Sequence, residues 1–202
     1  MTKIKLCGMM RPCDIDYANE VLPDYVGFIF ANTRRKISME QAEAFREALN
    51  DRIDAVGVFY NEKPEVVLEY AAKNIIQVIQ LHGDEDKQYI ENLRSQTKLP
   101  IWKAVKVRTK NDLRKQPEYG ADLYLLDTYK AGELGGCGEQ FDWSSLRQMS
   151  IPYFLAGGIT PENVTEALKY CPYGIDVSSG IESNGQKDRK KMIEIVRRIR
   201  NV

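Results

Sequence analysis

The chain has 202 residues, which suits one domain with a sizeable core, and its 29 basic and 29 acidic residues give a net charge of zero, which argues against a nucleic-acid-binding surface. Four cysteines with no C-x-x-C pair and a single histidine argue against a zinc site, and free cysteines indicate a reducing compartment. No signal peptide and no apolar run of transmembrane length are visible, so we expect a cytoplasmic protein with no membrane partner.

Short apolar strands alternate with amphipathic helices along the whole chain. Eight such alternations predict an α/β fold of parallel strands joined by helices, and we expect one (βα)8 TIM barrel spanning residues 1–202. A doubly wound open sheet is the alternative, but the first strand–helix turn, Cys-Gly-Met-Met-Arg, lacks the G-x-G-x-x-G fingerprint of a dinucleotide domain. The predicted strands are 3–7, 25–30, 54–59, 76–81, 101–105, 121–127, 153–156 and 174–177, and the predicted helices are 13–20, 39–49, 63–73, 85–95, 110–116, 142–148, 161–169 and 187–200.

Alternation within the first strand predicts a buried ion pair. Lys3, Lys5 and Cys7 share the face that we expect to point into the barrel, and the eighth strand, which closes against the first, carries Asp176 at the position that matches Lys5. Because an unpaired buried ammonium is very costly, we expect Lys5 to pair with Asp176 below Cys7. By contrast, we interpret the Lys and Arg residues of the last helix, 187–200, as a solvated face.

Two glycine-bearing turns follow the last two predicted strands. Gly157 and Gly158 precede Thr160, a predicted helix N-cap, and Ser179 and Gly180 repeat the device about 21 residues later. Backbone N–H groups at such turns suit a phosphate, and in eight-stranded α/β barrels a phosphate site follows strands 7 and 8. We therefore predict a phosphate cradle, with two ligand-free tight turns as the alternative.

Other polar candidates fall at the C-terminal strand ends, where the catalytic groups of such barrels lie. Cys7 ends the first strand and Asp127 the sixth; structurally, they could be a small buried hydrophobe and a loop cap. Arg35 and His82, our candidates for substrate binding, could instead be a solvated charge and a structural histidine. A thiol, a carboxylate, an arginine and a phosphate cradle on one barrel mouth favour a catalytic site. The further candidates lie in a glycine-rich loop that could be merely flexible: Gly136, Cys137 and Gly138.

The order and spacing of these motifs resemble the phosphoribosylanthranilate isomerase family of tryptophan biosynthesis over almost the whole chain. Three departures stand out: Met9-Met10 replaces a more usual Ile-Thr pair, Thr33-Arg34-Arg35 replaces Ser-Pro-Arg, and Cys137 replaces a common serine. The matching motifs are KLCGMMR at 5–11, GFIF at 27–30, VGVF at 56–59, QLHG at 80–83, LD at 126–127, GGCG at 135–138 with FDW at 141–143, AGGITPENV at 156–164 and DVSSGIE at 176–182.

The resemblance implies an Amadori rearrangement of the phosphosugar N-(5-phosphoribosyl)anthranilate, without cofactor or metal, by a monomer or weak homodimer. By resemblance, Asp127 is the general acid that protonates the furanose ring oxygen, and Cys7 is the general base that removes the proton from C2. Cys7 must then act as a thiolate, which nearby positive charge would favour. Arg35 would bind the anthranilate carboxylate through its planar fork.

Other readings of the same pattern remain open. Indole-glycerol-phosphate synthase is also a phosphosugar barrel, but it would need a catalytic lysine and paired glutamates at strand ends. Pentose-phosphate epimerases need metal-binding histidines, which a chain with one histidine cannot supply. A non-catalytic barrel that only binds a phosphorylated ligand is the alternative outside enzymes.

Overall fold

Eight parallel strands close into a barrel in which each strand pairs with the next and the last pairs with the first. The computed structural model describes residues 1–107, 118–128 and 143–201, so the predicted helix 110–116 and the loop 135–138 lie outside the described residues. The closed ring confirms the predicted barrel and excludes the open sheet. The strands are β1 (Lys3–Cys7), β2 (Tyr25–Ile29), β3 (Asp54–Phe59), β4 (Val78–Leu81), β5 (Ile101–Val107), β6 (Leu123–Thr128), β7 (Tyr153–Leu155) and β8 (Gly174–Val177).

The described helices lie in the intervals between strands, as the sequence predicts. Side-chain caps explain where several begin: Ser38, Asp86 and Asp188 each accept a hydrogen bond from a backbone N–H in the first turn that follows. The helices are α1 (Pro12–Val21), α2 (Met39–Ala48), α3 (Pro64–Ala72), α4 (Lys87–Arg94), α5 (Val164–Leu168) and α6 (Arg189–Arg200), with 3-10 turns at Trp143–Gln148 and Ser179–Ile181. Among the described segments, no helix has the length and apolar character needed to cross a membrane.

Two predicted features near the end of the chain are wrong. Thr160 does not cap a helix; α5 begins only after Asn163, whose side chain accepts from the Thr160 N–H and donates to the Gly158 carbonyl. Lys187 does not belong to the solvated face of α6, because it lies in a two-stranded hairpin formed by β9 (Glu182–Ser183) and β10 (Gln186–Lys187), where it is 3% exposed. α6 therefore begins at Arg189, directly after the hairpin, and the Asp188 carboxylate caps its first turn.

The apolar residues form two clusters because successive side chains of a strand point to opposite faces of the sheet. Ile4 and Leu6 belong to the larger cluster, between strands and helices, whereas Cys7 belongs to the smaller one inside the barrel. Lys3, at the start of the same inward face, is half-exposed and pairs with Asp24 instead of entering the barrel.

Aromatic rings fill the N-terminal end of the barrel interior. The Trp102 ring stacks on Phe154 and meets the edge of Tyr25, with 4.9 Å between ring centroids in each pair. All three residues lie at or next to the first residue of their strands. Because these rings occupy that end, the open space of the interior lies at the C-terminal mouth.

Candidate active site

A cleft that opens at the C-terminal mouth of the barrel is the candidate small-molecule site. Its lining also includes the polar side chains of Tyr60, Gln80 and Ser178. Among the described residues, no group of three or more His, Cys, Asp or Glu side chains could hold a metal ion. The predicted site residues that line the cleft are Cys7, Arg35, His82, Asp127, Gly157, Gly158 and Ser179.

The predicted ion pair inside the barrel is confirmed. The register of β1 against β8 places Lys5 opposite Asp176, and the Lys5 ammonium donates to both carboxylate oxygens at 2.9 Å. Lys5 is fully buried, and Asp176 also reaches the lining of the cleft. Burial is the largest single influence on the Lys5 ammonium and lowers its pKa, but the charges and hydrogen bonds of Asp176 and Cys7 together outweigh burial and raise the pKa of Lys5. The lysine therefore stays charged directly beneath the cleft.

Cys7 sits above this pair and is itself buried. Burial is the largest influence on its thiol and raises the pKa of Cys7 above 9.0; the positive charges of Lys5 and Lys187 lower it but do not prevail. The cations that the proposed chemistry needs are thus present, yet burial outweighs them and favours the protonated thiol.

A network of buried charges joins Cys7 to Arg35 across the mouth of the barrel. The Ser178 hydroxyl donates to the Cys7 carbonyl at 3.2 Å, and the Lys187 ammonium donates to the Ser178 carbonyl at 3.0 Å and to Glu182 Oε1 at 2.8 Å. Arg35 completes the network with two hydrogen bonds to the Glu182 carboxylate. Burial opposes ionisation of Glu182, but the hydrogen bonds from Arg35 and Lys187 outweigh it and lower its pKa to about 2.

Arg35 is a buried residue of the cleft, not a solvated loop charge. Its Nε and Nη2 both bond Glu182, so this edge of the guanidinium is already engaged within the protein. The Nη1 atom takes no part in either bond, and it is the part of the fork that remains for a ligand. Binding of a substrate carboxylate by Arg35 stays a prediction. Its geometric basis is that Glu182 holds the Arg35 guanidinium in place at the cleft.

His82 and Asp127 contact each other across the barrel interior. His82 Nε2 lies 3.2 Å from Asp127 Oδ2, and Gln80 Nε2 lies 3.0 Å from His82 Nδ1. The other amide atom, Gln80 Oε1, is buried and has no hydrogen-bond partner in the described part of the chain. The inward parity of Gln80 and His82 in β4, within the QLHG motif, was the available sequence signal for this arrangement.

The two glycine turns after β7 and β8 are in direct contact. Gly157 has φ +83°, and a side chain there would collide with Thr128, while a Cβ at Gly180 would collide with the carbonyl of Ile159. Only glycine permits this close approach. Gly157, Gly158 and Ser179 line the cleft, whereas Gly180 does not line it and packs against the backbone of Ile159. The predicted loop residues Gly136, Cys137 and Gly138 lie outside the described residues.

Comparisons with known proteins agree over the full chain. The sequence profile of the family described as N-(5'phosphoribosyl)anthranilate (PRA) isomerase matches residues 4–198. N-(5'-phosphoribosyl)anthranilate isomerase of Caldanaerobacter subterraneus subsp. tengcongensis is 43% identical over 205 residues, covering 100% of both chains. The crystal structure of phosphoribosyl anthranilate isomerase from Thermotoga maritima superposes with a TM-score of 0.90 at 32% identity, again covering 100% of both. A similar crystal structure of the enzyme in complex with reduced 1-(o-carboxyphenylamino)-1-deoxyribulose 5-phosphate gives 0.86 at 31% identity, covering 100% of both.

Proposed function

This chain belongs to the N-(5'-phosphoribosyl)anthranilate isomerase family and is an aldose–ketose isomerase of tryptophan biosynthesis, and we propose that Cys7 and Asp127 carry its proton transfers. The substrate is N-(5-phosphoribosyl)anthranilate and the product is 1-(2-carboxyphenylamino)-1-deoxyribulose 5-phosphate. Asp127 is the general acid and Cys7 the general base.

The proposed sequence of steps balances without an external reactant. Asp127 gives a proton to the furanose ring oxygen, and the C1–O bond breaks as the anthranilate nitrogen lone pair forms a Schiff base. Cys7, as thiolate, then removes the proton from C2, and the C–H electron pair forms the C1–C2 double bond of an enolamine. The enolamine then gains a proton at C1 from the Cys7 thiol and loses its C2 hydroxyl proton to the Asp127 carboxylate, which gives the ketone and restores both groups. Positioned acids and bases of this kind accelerate such steps by about 10²–10⁴-fold.

The observation that carries the proposal is that one cleft is lined by both groups, each at the C-terminal end of a different strand. Cys7 ends β1 and Asp127 lies in β6, and in the closed ring β7 and β8 lie between them on the shorter path. A ribose in the cleft would therefore have the thiol and the carboxyl on different sides, as transfer to one atom and from another requires.

The surrounding charges support the role of Cys7. Burial keeps the resting thiol protonated, but Lys5 and Lys187 stabilise the thiolate whenever it forms. At the two ends of the substrate, the N–H groups of the 157–158 and 179–180 turns, with those of 136–138, would bind the phosphate, while Arg35 and His82 contact the remainder. A cytoplasmic location, the absence of nucleic-acid partners and a monomeric or weakly dimeric state stay predictions.

Turnover by purified variants tests this assignment. Loss of anthranilate fluorescence in a coupled assay reports the reaction, and binding without such loss would indicate a non-catalytic barrel instead. Cys7→Ser and Asp127→Asn should each lower kcat by at least ~10²-fold while KM stays within a few-fold. Cys13→Ser is the matched control, because Cys13 is a free cysteine of α1 and does not line the cleft. Near-parental kcat in Cys7→Ser would remove Cys7 from the mechanism and make His82 the next candidate base.

A further inference from the structure

Two polar side chains, one on the inner face of β4 and one directly after the strand, face the proposed general acid. Gln80 and His82 alternate with Leu81, which packs outward into the larger apolar cluster. The Gln80 amide nitrogen lies 3.0 Å from His82 Nδ1, and His82 Nε2 lies 3.2 Å from Asp127 Oδ2. Gln80 is only 1% exposed. The three side chains thus form a chain of contacts that ends at the proposed proton donor.

The direction of the first hydrogen bond decides the protonation of the imidazole. An amide nitrogen can only donate, so His82 Nδ1 must be the lone-pair acceptor and a neutral ring carries its proton on Nε2. We infer that Gln80 is a positioning residue, which fixes His82 as the Nε2–H tautomer and thereby anchors one oxygen of Asp127. The inference rests on the proposed function, since it assigns a geometry to Asp127 as the acid.

The anchored carboxyl group can hold its transferable proton on one side only. A proton on Asp127 Oδ2 would face the N–H of His82, hydrogen against hydrogen, so a protonated Asp127 carries its proton on Oδ1. After transfer, the His82 N–H remains bonded to the new carboxylate and stabilises its charge. His82 therefore fixes which oxygen delivers the proton, and Gln80 fixes His82.

The other end of the Gln80 amide gives the substrate a part in this alignment. Gln80 Oε1 is buried, and no residue in the described ranges donates to it, although Gln80 lines the cleft. A buried acceptor without a donor is costly, and a hydroxyl or the amine N–H of a bound phosphosugar would satisfy it. With Oε1 held by the substrate and Nε2 by His82, the amide cannot rotate. Gln80 then links substrate binding to the orientation of the acid.

The chain's single histidine makes the tautomer directly measurable. Every imidazole signal from ¹⁵N-histidine-labelled protein belongs to His82, and long-range correlations of ring nitrogens to carbon-bound protons distinguish the two neutral tautomers from imidazolium. At about pH 8, where an ordinary histidine is neutral, we expect the Nε2–H pattern. We also expect it in Asp127→Asn, because Gln80 directs the ring without help from a carboxylate. An Nδ1–H pattern in either protein would overturn the inference.

Substitution of Gln80 separates positioning from structure. Gln80→Glu replaces the donor by an acceptor, so His82 should move to the Nδ1–H or imidazolium pattern and kcat should fall about tenfold or more. Gln80→Met, which keeps the volume, should weaken binding of reduced 1-(o-carboxyphenylamino)-1-deoxyribulose 5-phosphate by about tenfold, the scale of one lost hydrogen bond. Gln77→Glu is the control: it makes the same chemical change at a residue whose Oε1 accepts from the Ala55 N–H, away from His82.

The outcomes remain distinct from those of the proposed function. An unchanged Nε2–H tautomer in Gln80→Glu would refute the positioning role, even if Asp127→Asn abolishes turnover. Conversely, the tautomer can follow the expected pattern while Asp127→Asn retains activity, in which case the acid assignment fails and the hydrogen-bond chain stands. If Gln80→Glu does not fold, the affinity of Gln80→Met for the reduced analogue decides whether Gln80 contacts the substrate. A parental affinity would show that it does not.

Discussion

Arg35 reaches Glu182, 147 residues further along the chain, with Nε donating to Oε1 at 2.7 Å and Nη2 donating to Oε2 at 3.1 Å. Both side chains are buried, and Lys187 Nζ lies 2.8 Å from the same carboxylate. One carboxylate therefore faces two buried cations at the edge of the cleft. The Arg35 bonds hold the loop after β2 against the β9–β10 hairpin, and the two cations together leave the network with a net positive charge toward an anionic substrate.

The depressed pKa of Glu182 predicts an acid-dependent stability. Because the group titrates at about 2 in the folded chain and at 4.5 ordinarily, its contribution is complete above pH 4.5 and is lost as the pH falls toward 2. The contribution is on the order of 3 kcal/mol. Urea unfolding of the parent and of Glu182→Gln across this pH range should show a difference in unfolding free energy that shrinks as the pH falls. Parallel curves for the two proteins would contradict the prediction.

Arg35 should act on substrate binding and not on the chemical step. Arg35→Lys keeps one positive charge for Glu182 but lacks the fork, so we expect KM to rise by about tenfold or more with kcat within a few-fold. Arg34→Ala is the control, since Arg34 also contacts Glu182 but is half-exposed and does not line the cleft. A parental KM in Arg35→Lys, or an equal rise in Arg34→Ala, would show that charge alone matters.

The raised pKa of Cys7 predicts an alkaline ionisation. Since burial holds the thiol protonated, its alkylation by iodoacetamide should rise with pH and reach its midpoint above pH 9.0. Peptide mass mapping separates this adduct from those of the other three cysteines, Cys13, Cys137 and Cys171. Lys5→Met removes a cation that favours the thiolate and should move the midpoint higher. A midpoint near neutral pH would mean that the cations outweigh burial.

The contact between the two glycine turns predicts a binding defect on adding one methyl group. Gly180→Ala would collide with the Ile159 carbonyl and must separate the turns, so KM for substrate and the inhibition constant of inorganic phosphate should both rise about tenfold or more. Gly120→Ala is a control for backbone strain without a collision, since a Cβ there meets nothing within 4 Å although φ is +75°. Equal phosphate inhibition in Gly180→Ala and the parent would exclude this turn from the phosphate site.

The sequence predicted those features that depend on short-range alternation. The parity of Lys5 and Cys7 within one strand, together with closure of β8 onto β1, was enough to pair Lys5 with Asp176, because register follows once the barrel is assumed. The rule that catalytic groups of such barrels lie at C-terminal strand ends placed His82 and Asp127 at the mouth.

What the sequence could not predict depends on particular side-chain hydrogen bonds, some of them between distant segments. Nothing near Arg35 indicates that Glu182 binds it, and nothing in the basic run from 187 onward distinguishes the buried Lys187 from its solvated neighbours. The Thr160–Pro161 pair is a typical start of a helix, but the Asn163 side chain bonds the turn itself and the helix begins later. The Arg35 contact joins distant segments, whereas the bonds of Lys187 to Glu182 and of Thr160 to Asn163 are short-range and outweigh a local preference for helix.

The aromatic rings of Tyr25, Trp102 and Phe154 close the N-terminal end of the barrel. The interior is therefore open to solvent at one end only. Substrate and product must then pass through the same opening, and the two cannot be bound in the interior at the same time. Since the product keeps the phosphate and the carboxylate of the substrate, it occupies the same binding site until it dissociates. Product inhibition should accordingly be competitive. The rates of substrate entry and product release through this one opening set an upper limit on turnover, however fast the proton transfers become.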